Sequence, residues 1–375
     1  MQNIFFIIPS LCNGGAERVA SNLANHWSVN GNNVTIVTFA QQHKDFFELQ
    51  PSIKRIELNL AYLSESSVDF MWKNIRRMMQ LRKLLRHHKP DLVVSFMVEA
   101  NVLLALSAYG ISNIVTVGSE HTYPPNTPLG RFKEILRKYS YGQLSAVAAL
   151  TKECANWIEV HTRAKHVPVL PNPVPWPMPQ QQPILLPQTI CNTDRKLVLA
   201  VGRLSQEKQC NVMIDVFSKL AHKYPDWDLV FIGEGPERDT LEKQVTSVGL
   251  KGRIFLPGRV GNVGTWYERA DIYVMTSRYE GFPNTLAEAM AHGLPAISFD
   301  CDTGPRDIIR NGIDGILVPP RDIVAFTSAL NLLMNDNKLR TQYGSCAIEA
   351  RNRFSMESVV EMWEHYWFVA PQPVK

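Results

Sequence analysis

The chemistry-bearing residues of the second half cluster behind two short apolar runs. Leu197–Val201 leads into Gly202-Arg203-Leu204-Ser205-Gln206-Glu207-Lys208, which puts Arg203 and Lys208 on the turn after a strand. Two cations there neutralise a diphosphate, Arg through a fork of hydrogen bonds and Lys as a point charge. Two solvated loop cations are the plainer alternative. Ile272–Met275 leads into Thr276-Ser277-Arg278-Tyr279-Glu280-Gly281-Phe282-Pro283-Asn284-Thr285-Leu286-Ala287-Glu288, with seven residues between Glu280 and Glu288. Gly281, Pro283 and Asn284 interrupt regular structure, and a helix is predicted to start near Thr285. The amides of Asn284, Thr285 and Leu286 at such a helix start suit a phosphate. Glu280 in the loop can accept from sugar hydroxyls, and Glu288, one turn into the helix, from a ribose diol. Thr285 to Glu288 equally fits a capping box that satisfies only backbone donors.

The first half carries a glycine pair, Cys12-Asn13-Gly14-Gly15-Ala16-Glu17-Arg18, between a strand and a helix. Glycine lets the backbone approach an anion at the helix start, or serves a tight turn with no ligand. The dinucleotide fingerprint is missing, and the second strand ends Val37-Thr38-Phe39-Ala40-Gln41 without an acid for a ribose, so NAD is not expected. Residues 71–89 hold Lys73, Arg76, Arg77, Arg82, Lys83, Arg86 and Lys89 and no acid. Met71, Ile75, Met78, Leu81 and Leu85 recur at helical steps, with Lys73, Arg76, Arg77, Lys83 and His87 on another face. Such a basic amphipathic helix suits an anionic headgroup or a diphosphate, or is a solvated surface helix. Aromatic residues do not interleave these cations, so nucleic acid is not expected.

Parallel sheets position such loops. Apolar runs at Ile4–Ile8, Val34–Phe39, Leu92–Phe96, Ile114–Val117 and Ala146–Leu150 alternate with helical stretches, and a second series follows from Lys196 with Leu229–Ile232, Ile254–Leu256, Ile272–Met275 and Ala296–Phe299. Alternation of this kind predicts an α/β fold of two doubly wound, Rossmann-like domains facing across a cleft, with ligands at the carboxyl ends of the strands. Eight of the 24 prolines fall between Pro168 and Pro187. The predicted layout is an N-terminal domain over 1–170, a proline-rich linker over 171–195, a C-terminal domain over 196–354, and a closing helix over 355–370 that returns to the first domain. The length of 375 residues and the 45% hydrophobic content fit two domains and exclude a disordered chain. Residues 1–170 hold 18 Lys/Arg against 12 Asp/Glu, a net of +6, and the remainder 21 against 23, a net of −2. That asymmetry points to different partners for the two halves. Six cysteines without C-x-x-C spacing read as free thiols. The start lacks the basic region of a signal peptide, and no stretch reaches about 18 apolar residues; a peripheral protein is expected.

Gly202-Arg203 with Lys208, followed by Glu280 and Glu288, resembles the retaining family 4 glycosyltransferases of the GT-B fold. The resemblance extends over nearly the whole chain. It implies that Arg203 and Lys208 hold the diphosphate of a nucleotide sugar, that Glu280 contacts the transferred sugar, and that Glu288 binds the ribose. It also implies support from Gly15 and from the backbone of Asn284, Thr285 and Leu286, with Leu256–Arg259, including Gly258, lining the base pocket. His121, in Ser119-Glu120-His121, stands where the family often has a histidine near the reacting sugar. The Asn13–Arg18 loop and the basic helix are similar to those of enzymes that extend undecaprenyl-diphosphate-linked glycans, such as bacterial N-acetylgalactosaminyl- and galactosyltransferases. By that likeness Lys73, Arg76, Arg77, Lys83, Glu17 and Arg18 would meet a polyprenyl-diphosphate-linked glycan at a membrane surface, on the cytoplasmic face of the inner membrane. Retention would let the leaving phosphate take the acceptor proton, so no side-chain base is assigned. No cofactor is expected. Asp300-Cys301-Asp302 has the D-x-D form of a metal site in another glycosyltransferase fold, but the cations and helix start already serve the phosphates here. Two rivals are a nucleotide-sugar epimerase on the same fold and a non-enzymatic binder of anionic membranes.

Overall fold

A computed structural model describes residues 1–12, 14–40, 45–58 and 67–369. Asn13, Gln41 and residue 370 of the expected closing helix lie outside the described residues, as do the side chains of Met71 and Trp367. The chain divides into two compact units, Met1–Asn172 with the segment from Val359 onward, and Pro173–Ser358.

The first unit is built on six parallel strands, β1 (Asn3–Ile8), β2 (Asn33–Thr38), β3 (Lys54–Glu57), β4 (Leu92–Phe96), β5 (Val115–Glu120) and β6 (Ala146–Ala149), in the order β3-β2-β1-β4-β5-β6. Helices α1 (Gly15–Val29), α2 (Ser67–His88), α3 (Val98–Ala108), α4 (Arg131–Ser140) and α5 (Lys152–His161) connect them. Every residue of β4 is buried, which explains its apolar run, interrupted only by Ser95, whose hydroxyl donates to Asn101 Oδ1 at 2.7 Å: a parallel strand covered on both faces has no polar side. Edge strand β3 was not expected. Three of its four residues are charged, which suits a sheet edge and erases the apolar signal. Strand β5 runs beyond the apolar residues to Glu120, because Gly118, Ser119 and Glu120 pair with β6. His121 therefore stands directly at the strand's carboxyl end.

The second unit repeats the plan with β7 (Lys196–Val201), β8 (Trp227–Ile232), β9 (Ile254–Gly258), β10 (Ile272–Met275), β11 (Ala296–Phe299) and β12 (Gly315–Val318), in the order β12-β11-β10-β7-β8-β9. Its helices include α6 (Cys210–Ala221), α7 (Arg238–Ser247), α8 (Val263–Arg269) and α9 (Asn284–Ala291). Both sheets are parallel and sandwiched by helices, the expected α/β architecture. Residues of the proline-rich stretch are tied to this unit. Gln181 N–H donates to Gly261 O at 3.0 Å, Gly261 N–H to Pro183 O at 2.7 Å, and the Trp266 indole to Leu185 O at 2.9 Å. Gly261 must be glycine, since a Cβ there would stand 1.7 Å from Gln181 O.

The last helix, Met356–Val369, starts in the second unit and continues into the first. There Trp363, 2% exposed, meets Trp27 edge-on at 6.3 Å between ring centroids, and Trp27 packs on Phe6 at 5.4 Å. Trp363→Ala should destabilise the first unit by about 3–5 kcal/mol, the usual cost of emptying a buried tryptophan site. Denaturant unfolding followed by circular dichroism measures it.

Candidate active site

The second-unit residues meet at the carboxyl ends of β7 and β10, which are neighbours in the sheet. Gly202 and Arg203 follow β7, and a 3-10 turn over Gln206–Lys208 delivers Lys208 just before α6. The loop after β10 is pinned onto that turn. Thr276 Oγ1 donates to Lys208 O at 3.1 Å and Gln209 O at 3.0 Å, and Arg278 N–H donates to Glu207 O at 2.7 Å. This brings Lys208 Nζ within 2.6 Å of Glu280 Oε1, with Glu280's side chain 10% exposed. Burial works against the ammonium, but the charge and hydrogen bond of Glu280 outweigh it and raise the Lys208 pKa above its ordinary value. Arg203, Gly202, Lys208, Thr276 and Ser277 line a small hollow of about 30 Å³.

Helix α9 begins at Asn284 behind Pro283, and its start carries no side-chain cap. Thr285 is thus no capping residue; its hydroxyl accepts from Tyr273 OH at 2.8 Å. The capping-box alternative falls with it. Leu286 N–H is taken by Pro283 O at 3.0 Å, so of the expected amides Leu286 is turned inward. Glu288 is 1% exposed and accepts from the buried Tyr267 hydroxyl at 3.0 Å. Gly258 ends β9, two strands from β7, where a Cβ would stand 2.8 Å from Glu234 Oε1. The structure therefore joins Arg203, Lys208 and Glu280, with Thr285 held by the β10 tyrosine, and sets Gly258 further along the same edge of the sheet. Tyr267, Tyr273 and Ser277 were missed in the sequence, where a tyrosine or serine near a strand carries no charge pattern to mark it.

In the first unit Gly14 precedes α1 and Gly15 opens it. A Cβ on Gly14 would lie 2.1 Å from Glu17 Oε2, so the chain's own carboxylate covers that glycine. Burial raises the Glu17 pKa against the pull of a backbone hydrogen bond. Arg18 N–H donates to Gly14 O at 3.1 Å as the helix's first turn closes. His121 is half-buried, with Nε2 3.0 Å from Ser119 Oγ and its ring 5.2 Å from that of Phe96. Burial holds its pKa down at about 4, so its imidazole is neutral at neutral pH.

The basic helix α2 buries Leu81 and Leu85. Its cations divide. Arg82 donates to Ser107 O at 2.8 Å and Tyr109 O at 2.6 Å. Arg77 lies 5.8 Å from the Phe39 ring centroid and bonds Asn74 Oδ1 at 3.1 Å; burial lowers its pKa. Lys73 is half-buried, and Arg76, Lys83 and Arg86 are exposed.

Two family descriptions match this chain, "Glycosyltransferase Family 4" over residues 13–175 and "Glycosyl transferases group 1" over 182–350. The chain belongs to the family 4 glycosyltransferases. It is 26% identical over 367 residues to the amylovoran biosynthesis glycosyltransferase AmsD of Erwinia amylovora, covering 97% of this chain and 99% of that one. It is 28% identical over 370 residues to the GalNAc-alpha-(1->4)-GalNAc-alpha-(1->3)-diNAcBac-PP-undecaprenol alpha-1,4-N-acetyl-D-galactosaminyltransferase of Campylobacter jejuni, covering 97% of each. Of the exopolysaccharide phosphotransferase SCO2592 of Streptomyces coelicolor, also 28% identical over 288 residues, it spans 29% of the length with 76% of its own. Among solved structures, Anabaena Alr3699/HepE in complex with UDP and glucose superposes with a TM-score of 0.78 at 18% identity, over 98% of this chain and 100% of that one. The fold is GT-B.

In this glycosyltransferase Asp300 of the D-x-D sequence accepts from Arg306 Nε at 2.8 Å. Among the described residues no group of three His, Cys, Asp or Glu side chains could hold a metal, and no helix is long and apolar enough to cross a membrane. One site neighbour has a strong pH signature. Glu120, 1% exposed, accepts the Tyr141 hydroxyl at 2.5 Å. Burial pushes its pKa up to about 7, against the pull of Tyr141 and Arg137. A carboxyl raised on folding keeps its proton longer in the native state, so its contribution falls as pH rises from the unfolded value of 4.5 to about 7. His121, with its pKa lowered from 6.5, pulls the other way from about 4 to 6.5. Glu120→Gln removes only the falling component. Its unfolding free energy should gain on the parent by about 3 kcal/mol between pH 4.5 and 7.5, measured by urea titration at each pH.

Proposed function

We propose that this glycosyltransferase moves a hexose or N-acetylhexosamine with retention from a nucleotide sugar, UDP-GalNAc or UDP-Gal, to a polyprenyl-diphosphate-linked glycan. Its setting is the cytoplasmic face of the inner membrane, in surface polysaccharide or glycoprotein glycan synthesis. The observation that carries this function is the Lys208–Glu280 couple beside Arg203 at the carboxyl edge of the second sheet. The amylovoran and undecaprenol-linked names of the two full-length relatives support the acceptor class, and UDP bound to a protein of the same fold supports the nucleotide.

In this scheme Lys208 and Arg203 stabilise the charge that builds on the departing diphosphate. Glu280 accepts from a hydroxyl of the transferred sugar. Glu288, fixed by Tyr267, takes the ribose, while Thr285 and Asn284 at the start of α9, with Gly258 and Gly15, complete the donor contacts. The acceptor hydroxyl attacks carbon 1 as the bond to the leaving phosphate oxygen breaks, and that oxygen receives the acceptor proton. His121, neutral, gives or takes a hydrogen bond near the sugar and carries no charge there.

The acceptor side is assigned to Lys73, Arg76, Arg77 and Lys83 of α2 with Glu17 and Arg18 of α1. Arg76 and Lys83 share their exposed flank with Trp72, 64% exposed, and Met79, 63% exposed, the mixed composition of an interfacial helix. Helix α4 adds Phe132, Ile135 and Tyr139, all exposed, beside Arg131, Lys133 and Lys138, with the Arg163 guanidinium 4.2 Å from the Tyr139 ring centroid. Aromatic rings and cations together favour an anionic membrane surface.

A donor screen against extracted polyprenyl-diphosphate glycans, read by product mass, tests the assignment. Equal turnover of donor with and without acceptor would overturn it in favour of an epimerase. Glu280→Gln should cut transfer by about 10²-fold or more and leave vesicle binding unchanged; full transfer by that variant would remove Glu280 from the site. Arg76→Ala with Lys83→Ala should raise the KM for lipid acceptor by about 30-fold, at about 1 kcal/mol per cation, with the donor KM unchanged. Equal losses for both substrates would count against α2 as the acceptor element.

A further inference from the structure

Ser277 follows β10 and is 2% exposed, and its hydroxyl has no hydrogen-bond partner among the described residues. Its chain neighbours pin the loop to the turn before α6. Thr276 holds the carbonyls of Lys208 and Gln209, and Arg278 N–H holds that of Glu207. Native proteins satisfy buried hydroxyls, because a buried donor left unpaired forfeits its hydration without replacing it. Ser277 lines the same hollow as Gly202, Arg203 and Lys208. At about 30 Å³ the hollow has room for one or two water-sized groups, the size of a phosphate oxygen. A cation on its wall selects an anionic oxygen over a neutral one.

We propose that Ser277 is a donor-binding residue whose hydroxyl donates a hydrogen bond to a diphosphate oxygen of the nucleotide sugar, beside the charge of Lys208. The assignment rests on the hollow being the diphosphate site. Nothing in the sequence marks it, since the serine bears no charge and is flanked by a threonine and an arginine that draw the eye first. Its signature is a split between stability and affinity. A hydroxyl with a partner in the resting protein stabilises the fold, whereas one waiting for a ligand costs stability until the ligand arrives.

The test uses the full chain, with Ser277→Ala and the near-isosteric Ser277→Cys, whose thiol is a weak donor. Calorimetry with UDP, GDP and ADP measures binding, and thermal melts without ligand measure stability. Expected is a loss of about tenfold or more in affinity for the preferred nucleoside diphosphate in both variants, with ligand-free melting temperatures equal to or above the parent's. If the parent binds a nucleoside diphosphate and Ser277→Ala binds it equally well, Ser277 is no donor contact although the hollow stands as the diphosphate site. If ligand-free Ser277→Ala melts lower, the hydroxyl serves the fold and the inference fails. If the parent binds none of the three, the diphosphate site itself is refuted, and Ser277 with it.

Discussion

The ion pair of Lys208 and Glu280 is the contact on which the second-unit site depends. The two residues lie 72 apart in sequence and 2.6 Å apart in space. That is possible because β7 and β10 are parallel neighbours, and parallel strands release their loops at the same edge. Each side chain is largely withdrawn from water, so either charge alone would face an uncompensated desolvation penalty. Together they keep the lysine protonated and hold the loop after β10 against the turn before α6. In the proposed donor site a diphosphate would meet a cation already fixed in place, and fixed charge needs no reorganisation at the moment of reaction.

The first unit handles the same cost differently. Glu120 and His121 stand at the end of β5, one buried and the other half-buried. Neither is paired with an opposite charge as Lys208 is. Glu120 is bonded to a tyrosine hydroxyl and its pKa rises to about 7; His121 touches a serine and a phenylalanine and its pKa falls to about 4. Desolvation is relieved by neutralisation here and by pairing there. The two units thus differ: fixed positive charge gathers at the edge of the second sheet, while at the end of β5 His121 is neutral and Glu120 is poised to titrate near pH 7.

Much of this was legible in the residues. The central strands are largely apolar because both faces are covered, and β4 and β10 coincide with their apolar runs. Edge strand β3 was hidden for the converse reason: Lys54–Glu57 spends its residues on solubility at an open edge. Strand ends were hidden too, since Gly118, Ser119 and Glu120 continue β5 by pairing with β6 and not by apolarity. In the site, charge and spacing singled out Arg203, Lys208, Glu280 and Glu288. The tyrosines that orient Glu288 and Thr285 reach them from other strands and helices, by contacts that no local pattern records. Thr285 and Glu288 satisfied a capping rule in sequence, and only the placement of Pro283 before Asn284 removed it.

Charge counting has a similar limit. Residues 1–170 carry a net of +6, and the acid-free run at 71–89 supplies seven Lys/Arg. Not all of that charge faces outward to a partner. Arg82 closes two carbonyls of the α3 end, and Arg77 lies against Phe39 with its guanidinium partly desolvated. The cations exposed on α2 are Arg76, Lys83 and Arg86, alongside two large apolar side chains, Trp72 and Met79. A uniformly charged helix would be held by salt-sensitive attraction alone. One that alternates cations with an indole and a thioether also gains from apolar burial, which salt does not screen. The exposed flank of α2 thus combines cations with large apolar groups, a mixture that the sign of the net charge alone does not reveal.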